Sequence, residues 1–311
     1  MNRFCMTRLR RRFQKGSALI AVFFLIAILG LITFSAVTML KSDTGIYRAL
    51  RGRAYAAAQA ESGLAIGMRS KVKKDDPLLH QGTEEEGFDV VITTEEAKLN
   101  INSLILQQPS PLLLRRLLRS WNYPEKELPT LLDTLKDWVD DDSRTSLNGA
   151  EKMDYERLGV EGIPFNRTFA DLKELLLVPG FEKVAQLYPN WLNVFTVFGD
   201  GKVDLNEADV SIVAFLAMIP PERADVLSRH RLGRDGEFGT KDDVRLTSVA
   251  ELIGILGIGD PIALQQLTQW GKFDGAMRRV ESIGYHGNFK RRLVLISKED
   301  VIVWRGEIPI P

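Results

Sequence analysis

Between Ser17 and Leu40 the chain runs for 24 residues without a charge, SALIAVFFLIAILGLITFSAVTML. As an α-helix this stretch is ~36 Å long, enough to cross a hydrocarbon core of ~30 Å. Two other readings compete with a membrane span. A buried helix of a soluble protein can be this apolar, although so uniform a run is unusual there. A secretory signal has an apolar region of only ~7–15 residues followed by a small-x-small cleavage site. Here the run is longer, and the best such site, Phe34-Ser35-Ala36, has a bulky residue at the wrong place. No second apolar run of similar length occurs, so the sequence predicts one span over 17–40.

Charge is placed unevenly around that span. The whole chain carries 41 Lys and Arg against 41 Asp and Glu, which excludes a protein basic throughout. Residues 1–16 hold six cations (Arg3, Arg8, Arg10, Arg11, Arg12 and Lys15) and no acid, leaving 35 cations and 41 acids beyond them. A basic leader predicts a cytoplasmic N-terminus and an exported remainder. Lys41, Arg48, Arg51 and Arg53 crowd the far side and oppose that inference. One cysteine, Cys5, and three histidines exclude an intrachain disulfide and a thiolate- or histidine-rich metal site.

The helical pattern continues past the span. Residues 46–68 are rich in Ala, and Tyr47, Leu50, Ala54, Ala57 and Leu64 can share one stripe. Small residues from Ala56 to Gly63 allow close helix approach, to a partner helix or to the chain's own domain. The charged stretch Lys71–Gly87, with Pro77, is expected to end the helix. Strand patterns follow at Phe88–Thr93 and Lys98–Ile101. The C-terminus reads as a hairpin of Arg291–Ser297 and Val301–Arg305 turned by Lys298-Glu299-Asp300. Helical spacing dominates between them, at the segment opened by Ser110-Pro111, at Leu128–Val139 and at Phe169–Leu177. A helical block interrupting a sheet is an α+β arrangement.

That block contains a near-repeat. LNINSL at 99–104 corresponds to VDLNEA at 203–208, and TFADLKELLLVPGF at 168–181 to LTSVAELIGILGIG at 246–259. Thr168 and Ser248 fit helix N-caps, with Asp171 and Glu251 three residues later. Pro179-Gly180 and Gly257-Ile258-Gly259 fit helix stops. Shared helix punctuation alone can give such likeness; two paired motifs in one order favour duplication.

Acids cluster at the end of the helix predicted over 128–139: Asp137, Asp140, Asp141 and Asp142, then Glu151 and Asp154. Carboxylates at a helix C-terminus oppose its dipole, a cost that a hard cation such as calcium offsets with six to eight oxygen ligands. A solvated acidic loop is the alternative. A second candidate is GRDGEFGTKDD at 233–243, where Asp235, Asp242 and Asp243 can converge. The loop GDGKVDLNE at 199–207 has the turn glycine of an EF-hand. Its third ligand position falls on Phe198, however, so it reads as a turn and helix cap.

Lys15-Gly16 followed by Ser17 and a long apolar helix resembles a type IV prepilin signal, which implies cleavage between Gly16 and Ser17, N-methylation, and retention of the helix as anchor. Most pilins carry Glu at the fifth mature position, where this chain has Ala21; its absence is similar to the K minor pseudopilins of type II secretion. The order of motifs also resembles that family: Leu99-Asn100-Ile101-Asn102, Asp137-Trp138-Val139-Asp140-Asp141-Asp142, Asn166 before Glu174-Leu175, and Trp304-Arg305. The resemblance implies a pilin-like long N-terminal helix and antiparallel sheet with a large helical domain inserted. The expected divisions are a leader (1–16), a span (17–40), a helix continuation (41–75), sheet (76–103), insert (104–272) and sheet again (273–311). It implies a tip-capping role in a periplasmic pseudopilus, with Ala21, Phe24, Tyr47, Ala54 and Ala57 on the assembly helix. The implied partners are minor pseudopilins of the I and J types and, through them, the major pseudopilin, together with prepilin peptidase, the inner-membrane assembly platform and an exported substrate. It also implies calcium, through Gly149-Ala150-Glu151; the acid usual after that Glu is Lys152 here.

Two other classes are weighed. Val178-Pro179-Gly180 with Lys183 resembles the helix-hairpin-helix of competence proteins, which binds DNA phosphates through backbone amides. The acidic bulk opposes this, and no nucleic-acid partner is expected. An exported enzyme lacks support: the sequence has no GxSxG, HExxH or P-loop, and paired acids able to act on glycosides are without a Trp-rich cleft pattern.

Overall fold

The computed structural model describes residues 17–108 and 110–310. Helix α1 runs unbroken from Ser17 to Gly67, ~76 Å at 1.5 Å per residue. After a turn and a short 3-10 helix at Pro77–Leu79 come β1 (His80–Gly82) and β2 (Glu86–Thr94). The chain then leaves for a long excursion. Its first part is β3 (Leu99–Asn100), α2 (Ile101–Ile105), α3 (Leu112–Ser120), α4 (Leu128–Val139) and α5 (Lys152–Arg157). Its middle is α6 (Phe181–Leu187), α7 (Trp191–Val194), β4 (Phe195–Thr196), β5 (Val203–Asp204), α8 (Val210–Ala217) and α9 (Pro221–Arg231). It closes with α10 (Val249–Leu256), α11 (Pro261–Trp270) and β6 (Gly271–Lys272). The chain returns as β7 (Met277–His286), β8 (Phe289–Lys298) and β9 (Val301–Glu307). The main sheet has the order β1-β2-β7-β8-β9, antiparallel throughout, so the architecture is α+β with a large helical insert.

The C-terminal half of α1 lies on this sheet. Ala56, Ala60, Leu64 and Gly67 face Phe88, Val90, Ile92, Val280 and Leu295. Burying one large aliphatic side chain there contributes ~1.5–3 kcal/mol. Contact is close because both surfaces are small: a Cβ on Gly284 of β7 would overlap the Ala56 and Ala60 backbone. The stripe expected from spacing is divided, since Leu64 is buried against the sheet whereas Tyr47, Leu50 and Ala54 are exposed. The helix also ends earlier than residue 75. Arg278 of β7 donates to the carbonyl oxygens of Gly67 (2.9 and 3.1 Å) and Val72 (2.8 Å), a cation closing a helix C-terminus.

The insert begins and ends nearer the sheet than 104–272. Thr94 and Arg278 are still paired across β2 and β7, and the Thr94 hydroxyl donates to Met277 O at 3.1 Å. Leu99–Asn100 does not extend that sheet, because it pairs in parallel with β4. Two buried acids hold the joint. Glu96 accepts from the Ala276 and Met277 amides (2.6 and 3.2 Å) and from Lys272 (2.7 Å). Glu95 pairs with Arg279 (2.6 Å) and Lys98 (3.1 Å).

The insert is a true internal repeat. β3 pairs in parallel with β4, and β5 in parallel with β6. Buried Asn102 bonds both the N–H and the C=O of Phe169 (2.9 and 3.0 Å). Asn206 does the same to Leu246 (2.7 and 3.0 Å). The register differs by one from the sequence alignment: the caps are Asp171 and Ser248, not Thr168 and Ser248. In this register Glu174 and Glu251 each reach back to a backbone N–H (Ala170, Thr247), and left-handed Gly180 coincides with left-handed Gly257. The helix expected over 169–177 is a 3-10 turn, Leu172–Leu177.

Candidate functional site

The acidic segment after α4 forms one built pocket. Asp137 occupies the last turn of α4 and is fully buried; Asp140 is its C-cap. The chain then loops through Asp142 and returns at Gly149 to start α5 at Glu151. A Cβ on Gly149 would collide with the Asp137 carboxylate, so glycine permits this approach. Carboxylate oxygens of Asp140, Asp142 and Glu151 lie within 4.8 Å of one another. Their burial is graded: Glu151 is buried, Asp140 half-buried and Asp142 exposed, leaving the pocket open on one side. Beneath it Trp138 packs edge-on against Tyr155 (5.9 Å) and Phe165 (5.7 Å).

The decisive feature is unspent acceptor capacity. Asp137 Oδ1, Asp140 Oδ1 and Glu151 Oε1 are buried without a hydrogen-bond partner. A buried unpaired acceptor costs ~1–3 kcal/mol, more when charged. Burial first, then the charges of Asp142 and Asp137, hold the Asp140 carboxyl above its ordinary range. Burial raises Glu151 likewise, aided by Asp137 and Asp140 and opposed by the Lys152 amide. Tyr155 is pushed up to about 12 by burial and by Asp137, Glu151 and Asp154. An all-oxygen, hard, convergent donor set of this kind suits a divalent cation such as calcium.

Other predicted ligands are engaged elsewhere. Asp154 accepts from the Glu151 amide (3.0 Å) and pairs with Arg157 (3.3 Å). Asp242 Oδ2 accepts from the Arg234 and Asp235 amides (2.6 and 3.2 Å) and Oδ1 from Thr240 (2.8 Å), which hold its carboxyl well below the usual range. Asp235 and Asp243 likewise accept from the Glu237 and Gly239 amides (both 2.8 Å). The 233–243 loop therefore folds its carboxylates onto its own backbone rather than toward a common centre. The 199–207 segment is a turn running into β5, with Gly199 and Gly201 left-handed, and Asp209 caps the helix beyond it. Asn166, noted only as a family motif, donates to Asp142 O at 2.7 Å and braces the pocket's outer lip.

On the anchor, Ala21, Phe24, Tyr47 and Ala54 are exposed and Ala57 is half-buried, all away from the sheet-facing line. The first half of α1 is apolar and wholly exposed, long enough to cross a membrane. Gly16 lies outside the described residues, as does the side chain of Ser17.

A family model described as "Type II secretion system (T2SS), protein K" matches residues 97–191, the first repeat and the acidic pocket. The type II secretion system protein K of Klebsiella pneumoniae is 25% identical over 245 residues, covering 70% of this chain and 74% of the relative. The chain is thus similar to type II secretion protein K. The fold is similar to one found in the crystal structure of the GspK-GspI-GspJ complex from enterotoxigenic Escherichia coli. A chain of that complex aligns with a TM-score of 0.59 and 16% identity, covering 87% of this chain and 99% of its counterpart. Among the described residues, α1 fits a single-pass membrane anchor by its length and apolar composition.

Proposed function

We propose that this protein is a minor pseudopilin that caps the tip of a type II secretion pseudopilus and helps start its assembly. The reading rests above all on one continuous helix that is bare and apolar in its first half and welded to a pilin-type sheet in its second. The anchor lies in the inner membrane and the body in the periplasm, after prepilin peptidase has cut between Gly16 and Ser17 and the new terminus is methylated. Exposed Tyr47 and Ala54, with Ala57 beside them, continue the apolar face of the span and suit packing against the helices of I- and J-type minor pseudopilins. Through them the protein reaches the major pseudopilin and the assembly platform, and its broad inserted head meets the exported substrate. The protein has no catalytic role in this scheme. Asp140, Asp142 and Glu151, with Asp137 behind them, hold a structural calcium that ties the end of α4 to the start of α5. Disulfide crosslinking tests the assembly role: Tyr47→Cys and Ala54→Cys should trap an I-type partner helix in cells. Secretion that survives deletion of this gene together with an absence of crosslinks would overturn it.

A further inference from the structure

Four cations lie just beyond the span, where the topology bias for positive residues would exclude them. Lys41, Arg48, Arg51 and Arg53 are accompanied by one acid, Asp43, before Glu61. The structure sets this group on rigid helix rather than on a loop, since α1 does not break between the span and the sheet. Lys41 and Arg48, seven residues apart, share one face and are both exposed. The apolar face (Ile46, Leu50, Ala54) lies on the opposite side of the helix, whereas the sheet-facing line (Gly52, Ala56, Ala60) starts one turn beyond Arg48 on the adjoining face. Arg51 stands a further ~4.5 Å from the span than Arg48, and its guanidinium donates to Tyr55 Oη at 3.2 Å and lies over that ring at 5.4 Å. Tyr55 is one turn farther from the membrane.

We propose that Lys41 and Arg48 form a cationic collar that binds anionic phospholipid headgroups of the leaflet on the body side of the membrane. The assignment rests on the reading of 17–40 as a bilayer span, and two features support it. The first is reach. Arg48 Cα stands ~12 Å above Leu40, and helical side chains lean toward the helix N-terminus, covering the turn before their own Cα. Here that direction is toward the bilayer. Leaning back one turn brings the guanidinium to ~7 Å above the hydrocarbon, the outer edge of a headgroup layer ~5–7 Å deep. Lys41 starts inside that layer. The second is charge complementarity at a place continuous with the span, where a phosphate-bearing surface is always adjacent.

The test uses the full chain reconstituted in phosphatidylcholine vesicles with trace spin-labelled phosphatidylglycerol or phosphatidylcholine. The motion-restricted fraction gives the relative association of each lipid with the protein. Leader cations are the same in every variant, so differences between variants report the collar alone. Lys41→Gln with Arg48→Gln should lower the preference for phosphatidylglycerol about five-fold or more, the scale of one to two basic contacts at an anionic surface. Arg51→Gln should leave it within about two-fold. An unchanged preference in the double variant, or an equal loss in Arg51→Gln, overturns the collar. Competition by inorganic phosphate beyond that of chloride at equal ionic strength reassigns the site to free phosphate and also overturns it. If no lipid is motionally restricted by any variant, it is the membrane span that fails, and the collar with it.

Discussion

Replacing Glu151 with Gln separates a cation site from a merely solvated acidic loop, because the two readings demand opposite signs. The three carboxylates have oxygens within 4.8 Å of one another. At that separation each like-charged pair repels by about 3.5 kcal/mol for an effective dielectric of about 20. Neutralising Glu151 removes two of the three pairs while keeping an oxygen to accept from the Lys152 amide (3.4 Å). Asp142 is exposed, so screening reduces the gain to roughly 1–3 kcal/mol. In chelator, Glu151→Gln should therefore melt several degrees above the wild type. In millimolar calcium the order should reverse, since the wild type gains binding energy and the variant loses a charged ligand. Differential scanning calorimetry of the detergent-solubilised chain, with and without chelator, reads both signs. A variant less stable than wild type in chelator, with its calcium response intact, refutes the reasoning.

The same pocket fixes a pH dependence. Asp140 and Glu151 are raised in the folded state, so the folded chain binds more protons than the unfolded one in that window, and its stability falls as pH rises through it. The calcium-free protein should thus gain stability relative to the calcium-loaded one as pH drops from neutrality toward 5, and parallel melting curves would argue against it. Asn206→Ala strands the Leu246 N–H and two carbonyls, Leu246 and Phe273, and should cost ~3–5 kcal/mol. Asn102→Ala strands only the two groups of Phe169 and should cost less; urea unfolding compares them, and equal losses would count against this accounting. Gly284→Val drives a side chain into the Ala56–Ala60 backbone and should free the second half of α1 from the sheet, seen as new protease sensitivity between 52 and 67.

What the sequence made legible follows what each residue had to satisfy locally. Helix α4 appears over the predicted Leu128–Val139 because its apolar period and its acidic end are both local signals. The C-terminal hairpin was equally plain, and its turn falls on left-handed Glu299 and Asp300. β7 falls inside the sheet expected over 273–311 but is not singled out as a strand by its pattern, although it is the strand on which the anchor rests. Its outer residues, Arg279 and Glu281, carry charges that form ion pairs, with Glu95 just past β2 and with Arg292 of β8. Its inner ones, Ser282 and Gly284, are small because α1 lies over them. Neither looks like a strand until its partner is known. The repeat is visible in the sequence, but its second segments align one residue out of register and its first cap falls three residues early, since Thr168 and Asp171 are both good caps and only the Asn102 bonds to Phe169 fix the register. The acids of 140–151 and of 233–243 were indistinguishable by composition. One set converges its oxygens on one another and the other turns them onto its own amides, a difference made by backbone path.

The inserted head leaves and re-enters through adjacent positions on neighbouring strands, with Thr94 and Arg278 still in register. A doorway that narrow imposes nothing on the size of the room behind it. Lineages can enlarge, trim or exchange the roughly 180 residues between those posts while the membrane stem and its β-scaffold keep their geometry. The head is thereby free to vary without asking anything of the stem that carries it.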